Sequence, residues 1–427
     1  MSQSNGASDF IAFFKRGGRE LYLISFIFFM WGLLSCLNDL LVPYLRGVFD
    51  LNYSQAMMVQ FSFFSAYFFF SIPLGFLINR IGYQKGIVLG LLISAVGCVM
   101  FFPAAQLPSY TAFLLALFVI ATGVCCLQVS ANPYVTLMGP ELTAANRLNL
   151  TQGFNSLGTT AAPFVASIFI FSTFTELSPS AKEVQTPYLL IAFSLVLLAI
   201  FFSRFNLPTA TYSSLSNIKM DENKQSVNLK SMVSLLRTHR HLMYGALGIF
   251  FYVGVEVSIG SLLVNFIADP TIGNMSEASA SQYVVIFWAG AMFGRFLGFY
   301  LMYRIAPNVL LAFNTALASV LILLSVFTTG QLAMWSILLV GLCHSIMFPT
   351  LFSLAIIKLG AATPQASGIL CLAIIGGAVI PIFQGLLADA VGLQMSLSLA
   401  LLSYTYIAFF AVYGYKPTTN SIKEPSV

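Results

Sequence analysis

Twelve stretches of this chain are apolar and long enough to cross a bilayer, and that count leaves few folds open. They cover residues 21–45, 56–78, 86–104, 110–138, 147–172, 187–205, 241–267, 279–303, 308–328, 332–358, 365–388 and 393–414, and are called spans 1 to 12. About 20 residues of helix cross the hydrocarbon core. Lipid offers no partner to backbone N–H and C=O groups, so apolar segments of this length satisfy them internally as helices. Several spans contain Gly or Pro, which packed neighbours tolerate in a membrane. The composition agrees: 58% of residues are hydrophobic and 8% charged, against roughly 25% charged in soluble domains. Mean hydropathy is +0.89, and 41 phenylalanines suit lipid-facing helix surfaces. The expected fold class is an all-α polytopic membrane protein with twelve transmembrane helices.

The net charge of +5 would suit nucleic acid, but the placement of the charges points to topology. With the N-terminal side taken as inside, sixteen Lys and Arg residues fall in inner segments, from Lys15, Arg16 and Arg19 through Arg147 and Arg237 to Lys416 and Lys423. The outer loops hold only Arg46 and Lys182, and Arg295 lies within a span. Both termini are therefore expected on the cytoplasmic side. The first 20 residues lack the charged n-region, short apolar region and cleavage site of a signal peptide, so span 1 is expected to be retained.

Residues 206–240 form the one long polar interior linker. It divides the chain into a segment 1–20, an N-terminal six-helix half 21–205, a C-terminal half 241–414 and a tail 415–427. The end of the linker, from Val227 to His241, reads as a short interfacial helix or as ordinary solvated linker. The halves repeat. Phe28-Phe29-Met30-Trp31-Gly32 is echoed by Phe250-Phe251-Tyr252-Val253-Gly254, and Gly158 and Pro163 by Gly376 and Pro381. Gly75 to Lys85 has a weaker counterpart in Gly298 to Arg304. Such a repeat of six-helix halves is typical of secondary transporters, whose sites lie near the midplane.

Polar residues inside spans are costly and mark function by default. Asp39 follows Asn38 in span 1; a carboxylate at a helix centre costs about 2.5–3.5 kcal/mol on insertion scales. Trp31, Ser35 and Asp39 recur every four residues and share a face. That face joins a flat apolar ring to a hydroxyl and a carboxylate, the mixture that sugar binding needs; the alternative is an Asp hydrated near the outer interface. Span 4 carries Gln128 and Asn132 four apart, then Pro133, which frees a carbonyl. Neutral amides donate and accept, which suits a polyhydroxylated uncharged ligand, although amides also bond helix to helix. Span 5 repeats Asn149, Gln152 and Asn155 among small residues, and Arg147 at its inner end reads as a gate or loop anchor rather than a ligand. In span 7, Tyr252 and Glu256 are four apart, followed by Ser258, Ser261 and Asn265. Desolvation near the midplane favours the neutral form of a carboxyl group. Glu256 is accordingly a candidate coupling group, with a permanent hydrogen-bond donor or a partner of Arg295 as alternatives. Trp288, Met292 and Arg295 share a face of span 8, and an intramembrane Arg needs a partner, here Glu256 or Asp39. His344 in span 10 is a packing residue or a proton relay, and Gln384 in span 11 is placed to face a cavity.

The six cysteines lie in apolar segments without zinc or redox spacing, so no metal site is expected. An intramembrane enzyme using Asp39 with His344 has no nucleophile motif or Walker-type loop behind it. No cofactor is expected beyond a coupling ion.

Four stretches resemble the fucose:proton symporter family of the major facilitator superfamily. They are Asn38-Asp39 to Pro43, Gln128 to Tyr134, Arg147 to Gly158, and Met347-Phe348-Pro349-Thr350 onward. The resemblance runs from about Leu21 to Tyr415. It implies two six-helix halves around a central sugar site reached alternately from each side, and transport of small neutral sugars, usually with a cation. In the fucose permease the functional acids are a span 1 Asp and a span 4 Glu. Asp39 matches the first; Gln128 stands at the second, and Glu256 stands where the permease has Gln. That exchange, with the run Val255 to Gly260, resembles the glucose/galactose branch.

The expected function is symport of a neutral hexose with H+ or Na+ across a bacterial inner membrane, by a monomer in the lipid bilayer that binds no nucleic acid. Asp39 and Glu256 are the expected ion-coupling residues. Asn38, Gln128, Asn132, Gln152 and Asn155 are expected to hydrogen-bond the sugar, and Trp31, Tyr252 and Trp288 to stack on it. Arg295, His344, Asn265 and Gln384 are candidate partners or gates. Fucose or N-acetylhexosamine symport, and efflux of amphipathic compounds, are the alternatives.

Overall fold

The computed structural model describes residues 21–37, Leu45, Phe49, 53–106, 109–166, 184–204 and 229–417. These residues form helices and their connecting turns. In chain order the helices are α1 (Leu21–Leu37), α2 (Tyr53–Ile81), α3 (Tyr83–Gln106), α4 (Tyr110–Leu137), α5 (Ala144–Ala166), α6 (Gln185–Arg204), α7 (Leu229–Thr238), α8 (Arg240–Ala268) and α9 (Glu277–Leu301). They continue with α10 (Pro307–Phe327), α11 (Gly330–His344), α12 (Met347–Ala355), α13 (Thr363–Leu372), α14 (Gly376–Val391), the short α15 (Leu393–Ser396) and α16 (Leu399–Phe409). Every one of the twelve expected spans contains helix. Ten helical stretches among the described residues are long and apolar enough to cross a membrane, and Leu21–Leu37 is a shorter apolar one. The twelfth, α5, stands outside that set, and its first half is dense in Asn, Gln, Thr and Arg. α7 forms at the end of the linker, where a short helix and an ordinary solvated linker are the two readings of the sequence.

The chain forms two compact units, Met1–Met138 with Leu150–Ala210, and Gly139–Asn149 with Thr211–Val427. The segment 139–149, expected in the N-terminal half, belongs to the second unit. Its side chains explain why. Asn146 Nδ2 donates to the Phe299 carbonyl at 3.1 Å, and Asn149 Nδ2 lies 3.3 Å from Met302 Sδ. Ala145 joins Met302, Leu310 and Ile346 in one buried apolar cluster. Arg147, almost fully buried, donates to the Pro140 carbonyl at 3.1 Å and to Thr143 Oγ1. It is a loop anchor, one of the two roles its position suggests.

Within each unit, glycines let helices approach to backbone contact. In the first unit a Cβ on Gly123 of α4 would overlap Ser94 and the Gly90 carbonyl of α3, and one on Gly158 of α5 would overlap the Phe29 carbonyl of α1. The second unit repeats that last contact: a Cβ on Gly376 would overlap the Phe250 carbonyl of α8. The echoed segments Phe28–Gly32 and Phe250–Gly254 are thus each met by the echoed glycine, Gly158 or Gly376, at carbonyls one position apart in the repeat. Gly158→Ala and Gly376→Ala are each expected to destabilise by about 1–3 kcal/mol through overpacking. Gly385→Ala, where a Cβ meets nothing within 4 Å, serves as control. Thermal unfolding of the detergent-solubilised protein should show lower midpoints for the first two and an unchanged one for the third.

Candidate functional site

Each unit holds a cluster of buried polar side chains on the spans expected to carry them. In the first unit, α4 places Gln128 and Asn132 one turn apart, and both are buried. Gln128 Nε2 donates to the Tyr67 hydroxyl of α2 at 3.0 Å, while its Oε1 has no partner among the described residues. Asn132 Oδ1 accepts from Gln152 Nε2 of α5 at 3.5 Å, and Asn132 Nδ2 has no partner among the described residues. Asn155 Nδ2 donates to the Phe28 carbonyl of α1 at 3.0 Å. Trp31 is buried, its ring 5.2 Å from that of Phe28. The amides therefore divide by role. Asn155 ties α5 to α1, whereas Gln128 and Asn132 keep one acceptor and one donor unspent. A buried polar atom without a partner costs about 1–3 kcal/mol, so the pair carries two unmet hydrogen-bonding groups in a buried setting. Asn38 and Asp39 lie outside the described residues.

In the second unit the cluster forms around a break in span 10. α11 ends at His344 and α12 begins at Met347, with Pro349 in its first turn. Proline lacks an N–H and its ring clashes with the carbonyl four residues back, here Ser345. The carbonyls at the end of α11 lie where a helix leaves acceptors unpaired. Side chains from three other helices meet them: Asn314 Nδ2 of α10 donates to the Cys343 carbonyl at 3.1 Å, the Tyr252 hydroxyl of α8 lies 3.1 Å from the His344 carbonyl, and Arg295 Nε of α9 donates to the Ser345 carbonyl at 3.2 Å. The Tyr252 hydroxyl is also 2.7 Å from Glu256 Oε1. His344 Nε2 lies 2.6 Å from the Tyr404 hydroxyl of α16, and the His344 ring packs edge-on against Tyr252 and Phe287. His344 Nδ1 has no partner among the described residues.

The structure thus brings Tyr252, Glu256, Arg295 and His344 together; the four-residue spacing suggests the first pair and the need of an intramembrane Arg for a partner suggests Arg295, whereas His344 joins them through the tertiary fold. It places the other candidates of this unit apart from them or in different surroundings. Trp288 is 44% exposed, with its ring edge 3.2 Å from the position a Gly260 Cβ would take. Asn265 is exposed near the end of α8. Gln384 is buried with neither amide atom partnered among the described residues. Tyr67, Asn314 and Tyr404 join the clusters without having been singled out in the sequence. Each is a lone polar residue in an apolar span, and nothing local separates it from a packing residue. The described residues hold no group of His, Cys, Asp and Glu fit for a metal ion.

The chain is similar to known proteins over nearly its whole length. The family model "Major Facilitator Superfamily" matches residues 22–373. A glucose/galactose transporter of Brucella abortus biovar 1 (strain 9-941) is 49% identical over 404 residues, covering 94% of this chain and 95% of the relative. The L-fucose-proton symporter of Escherichia coli (strain K12) is 32% identical over 427 residues, covering 95% and 96%. The crystal structure of FucP, a Major Facilitator Superfamily transporter in the outward conformation, superposes with a TM-score of 0.84 at 32% identity, covering 92% of this chain and 98% of that one. The apolar helices and these matches are those of a membrane-spanning transporter rather than an enzyme: this chain belongs to the Major Facilitator Superfamily, in the family that includes the glucose/galactose and L-fucose–proton transporters.

Proposed function

We propose that this protein carries a neutral hexose such as glucose or galactose into the cell together with a proton, by alternating access, as a monomer in a bacterial inner membrane with both termini cytoplasmic. Among the observations behind this reading, the 49% identity to a glucose/galactose transporter over 94% of the chain carries it. The site chemistry supports it independently. Gln128 and Asn132 offer one unspent acceptor and one unspent donor in a buried setting, which matches a sugar hydroxyl. Glu256 is the half-buried acid of α8, Asp39 is the acid in the sequence of span 1, and the two are the proposed coupling groups. The Arg295 guanidinium near Glu256 supports proton rather than sodium coupling, since a fixed positive charge disfavours a bound metal cation.

The test is uptake of a panel of labelled hexoses into vesicles, with pH and sodium gradients imposed separately. Glucose or galactose accumulation driven by the pH gradient alone is the expected result. Accumulation that needs sodium at fixed pH, or transport of L-fucose in preference to either hexose, would overturn the assignment. Gln128→Leu and Asn132→Leu are each expected to raise KM for the hexose about 10- to 100-fold, the worth of roughly 1–3 kcal/mol of lost hydrogen bonding. Asn155→Leu, which breaks a helix tie instead, should lower the unfolding midpoint with a smaller effect on KM.

A further inference from the structure

The Tyr252 hydroxyl has one proton and two acceptors within reach, Glu256 Oε1 at 2.7 Å and the His344 carbonyl at 3.1 Å. Both oxygens are served at once only when Glu256 is protonated: the carboxyl O–H donates to the phenol oxygen, and the phenol O–H donates to the carbonyl. An ionised Glu256 is the stronger acceptor and draws the phenol proton to itself. The His344 carbonyl then loses its donor, at the point where span 10 is broken. On either side of it the Cys343 and Ser345 carbonyls are held by Asn314 and Arg295. Of these three donors, Tyr252 is the one whose single proton is shared with a carboxyl group.

We propose that Tyr252 is a positioning residue that converts the protonation state of Glu256 into the making or breaking of the cap on the His344 carbonyl, and so into the stiffness of the break between α11 and α12. The proposal rests on the reading of Glu256 as a proton-carrying group. Tyr252 keeps its own proton throughout. When Glu256 gives its proton to water, the phenol O–H rotates from the carbonyl to the carboxylate; when a proton returns, it rotates back. The titratable and charged groups around Glu256 are Tyr252 on its own helix, Arg295 on α9, His344 at the end of α11 and Tyr404 on α16. α12 carries none, and α13 and α14 carry Cys371 and the exposed Asp389. Arg295 attracts the ionised form of Glu256, whereas the low-dielectric surroundings favour the neutral one, so the two pull the latch in opposite directions. This keeps the two states close in energy, as a switch requires.

The experiment is hexose exchange at equal concentrations across proteoliposome membranes, measured from pH 5 to pH 9, for wild type, Tyr252→Phe, Glu256→Gln and the double variant. The relay predicts a pH-dependent exchange rate in wild type. Glu256→Gln should exchange at a rate independent of pH, because the Gln amide still donates to the phenol. Tyr252→Phe should flatten the profile and slow exchange about tenfold, the size of one lost hydrogen bond, and the double variant should match Tyr252→Phe alone, since the two residues act in series. A wild-type pH profile in Tyr252→Phe, or a double variant whose loss is the product of the two single losses, would overturn the relay. If Glu256→Gln still accumulates hexose against a gradient, the coupling role of Glu256 fails; if it does not but Tyr252→Phe keeps the wild-type profile, the relay alone fails. Amide hydrogen exchange over 347–352 gives a second reading that needs no Tyr252 variant. Its protection, corrected for intrinsic exchange, should fall between pH 5 and pH 9 in wild type and hold constant in Glu256→Gln; equal behaviour in both would contradict the relay.

Discussion

Glu256→Gln is expected to abolish accumulation of hexose while sparing exchange. The size of the effect follows from the driving force. One proton entering with a neutral sugar moves one charge, worth about 2.3 kcal/mol per 100 mV, which sustains a sugar gradient of roughly 50-fold at that potential. Without a titratable group at this position the gradient has no coupling through Glu256, and the steady-state ratio should fall towards 1. Exchange should persist, because the Gln side chain keeps the size of Glu and presents a donor to Tyr252, which lies 2.7 Å from the carboxyl oxygen. Transport loss of this kind separates coupling from binding: a residue that only held the sugar would raise KM in both assays. Counterflow and concentrative uptake, measured on the same vesicles, check it.

Pro349→Ala should make the protein more stable and transport slower. The proline lacks the N–H that would reach the Ser345 carbonyl, and Arg295 Nε takes that acceptor at 3.2 Å. Alanine restores the N–H, so the backbone competes with Arg295 for the same oxygen and the two pieces α11 and α12 gain a route to one continuous helix. Proline within a helix costs about 3 kcal/mol, though less in a first turn, where its missing N–H matters little. The expected result is an unfolding midpoint at or above that of wild type with a transport rate at least about tenfold lower. A midpoint below wild type with unchanged transport would mean that the break is packing without a part in the cycle. Such an opposition of stability and rate is common where a strained element serves function.

The spans were legible because hydropathy is a property of sequence alone, and lipid leaves a long apolar segment one answer. Even α5, whose first half is dense in Asn, Gln, Thr and Arg, lies under the expected span 147–172. The repeat was legible too, since a glycine that must touch a backbone carbonyl admits no other residue: Gly158 and Gly376 each meet a carbonyl of the echoed Phe-Phe pair in their units. Partners were not legible. Asn149, Gln152 and Asn155 recur every third residue and read as one face, yet Asn149 bonds Met302 with the second unit while Gln152 and Asn155 bond Asn132 and Phe28 in the first. Tyr67, Asn314 and Tyr404 were missed for the same reason, because which lone polar residue meets which depends on the tertiary register of helices far apart in sequence. Tyr252 was expected as a stacking surface, four residues before Glu256. The structure commits its hydroxyl to that carboxyl group and to the His344 carbonyl, contacts that the sequence spacing only half suggests.

Sugar-induced charge movement in sodium-free proteoliposomes tests the central claim most directly. A rapid jump in glucose or galactose at zero imposed gradient should drive an inward positive current in wild type, growing as the outside pH falls, and none in Glu256→Gln despite retained exchange. A current that appears only when sodium is present, or one of wild-type size in Glu256→Gln, would contradict proton-coupled hexose entry through Glu256.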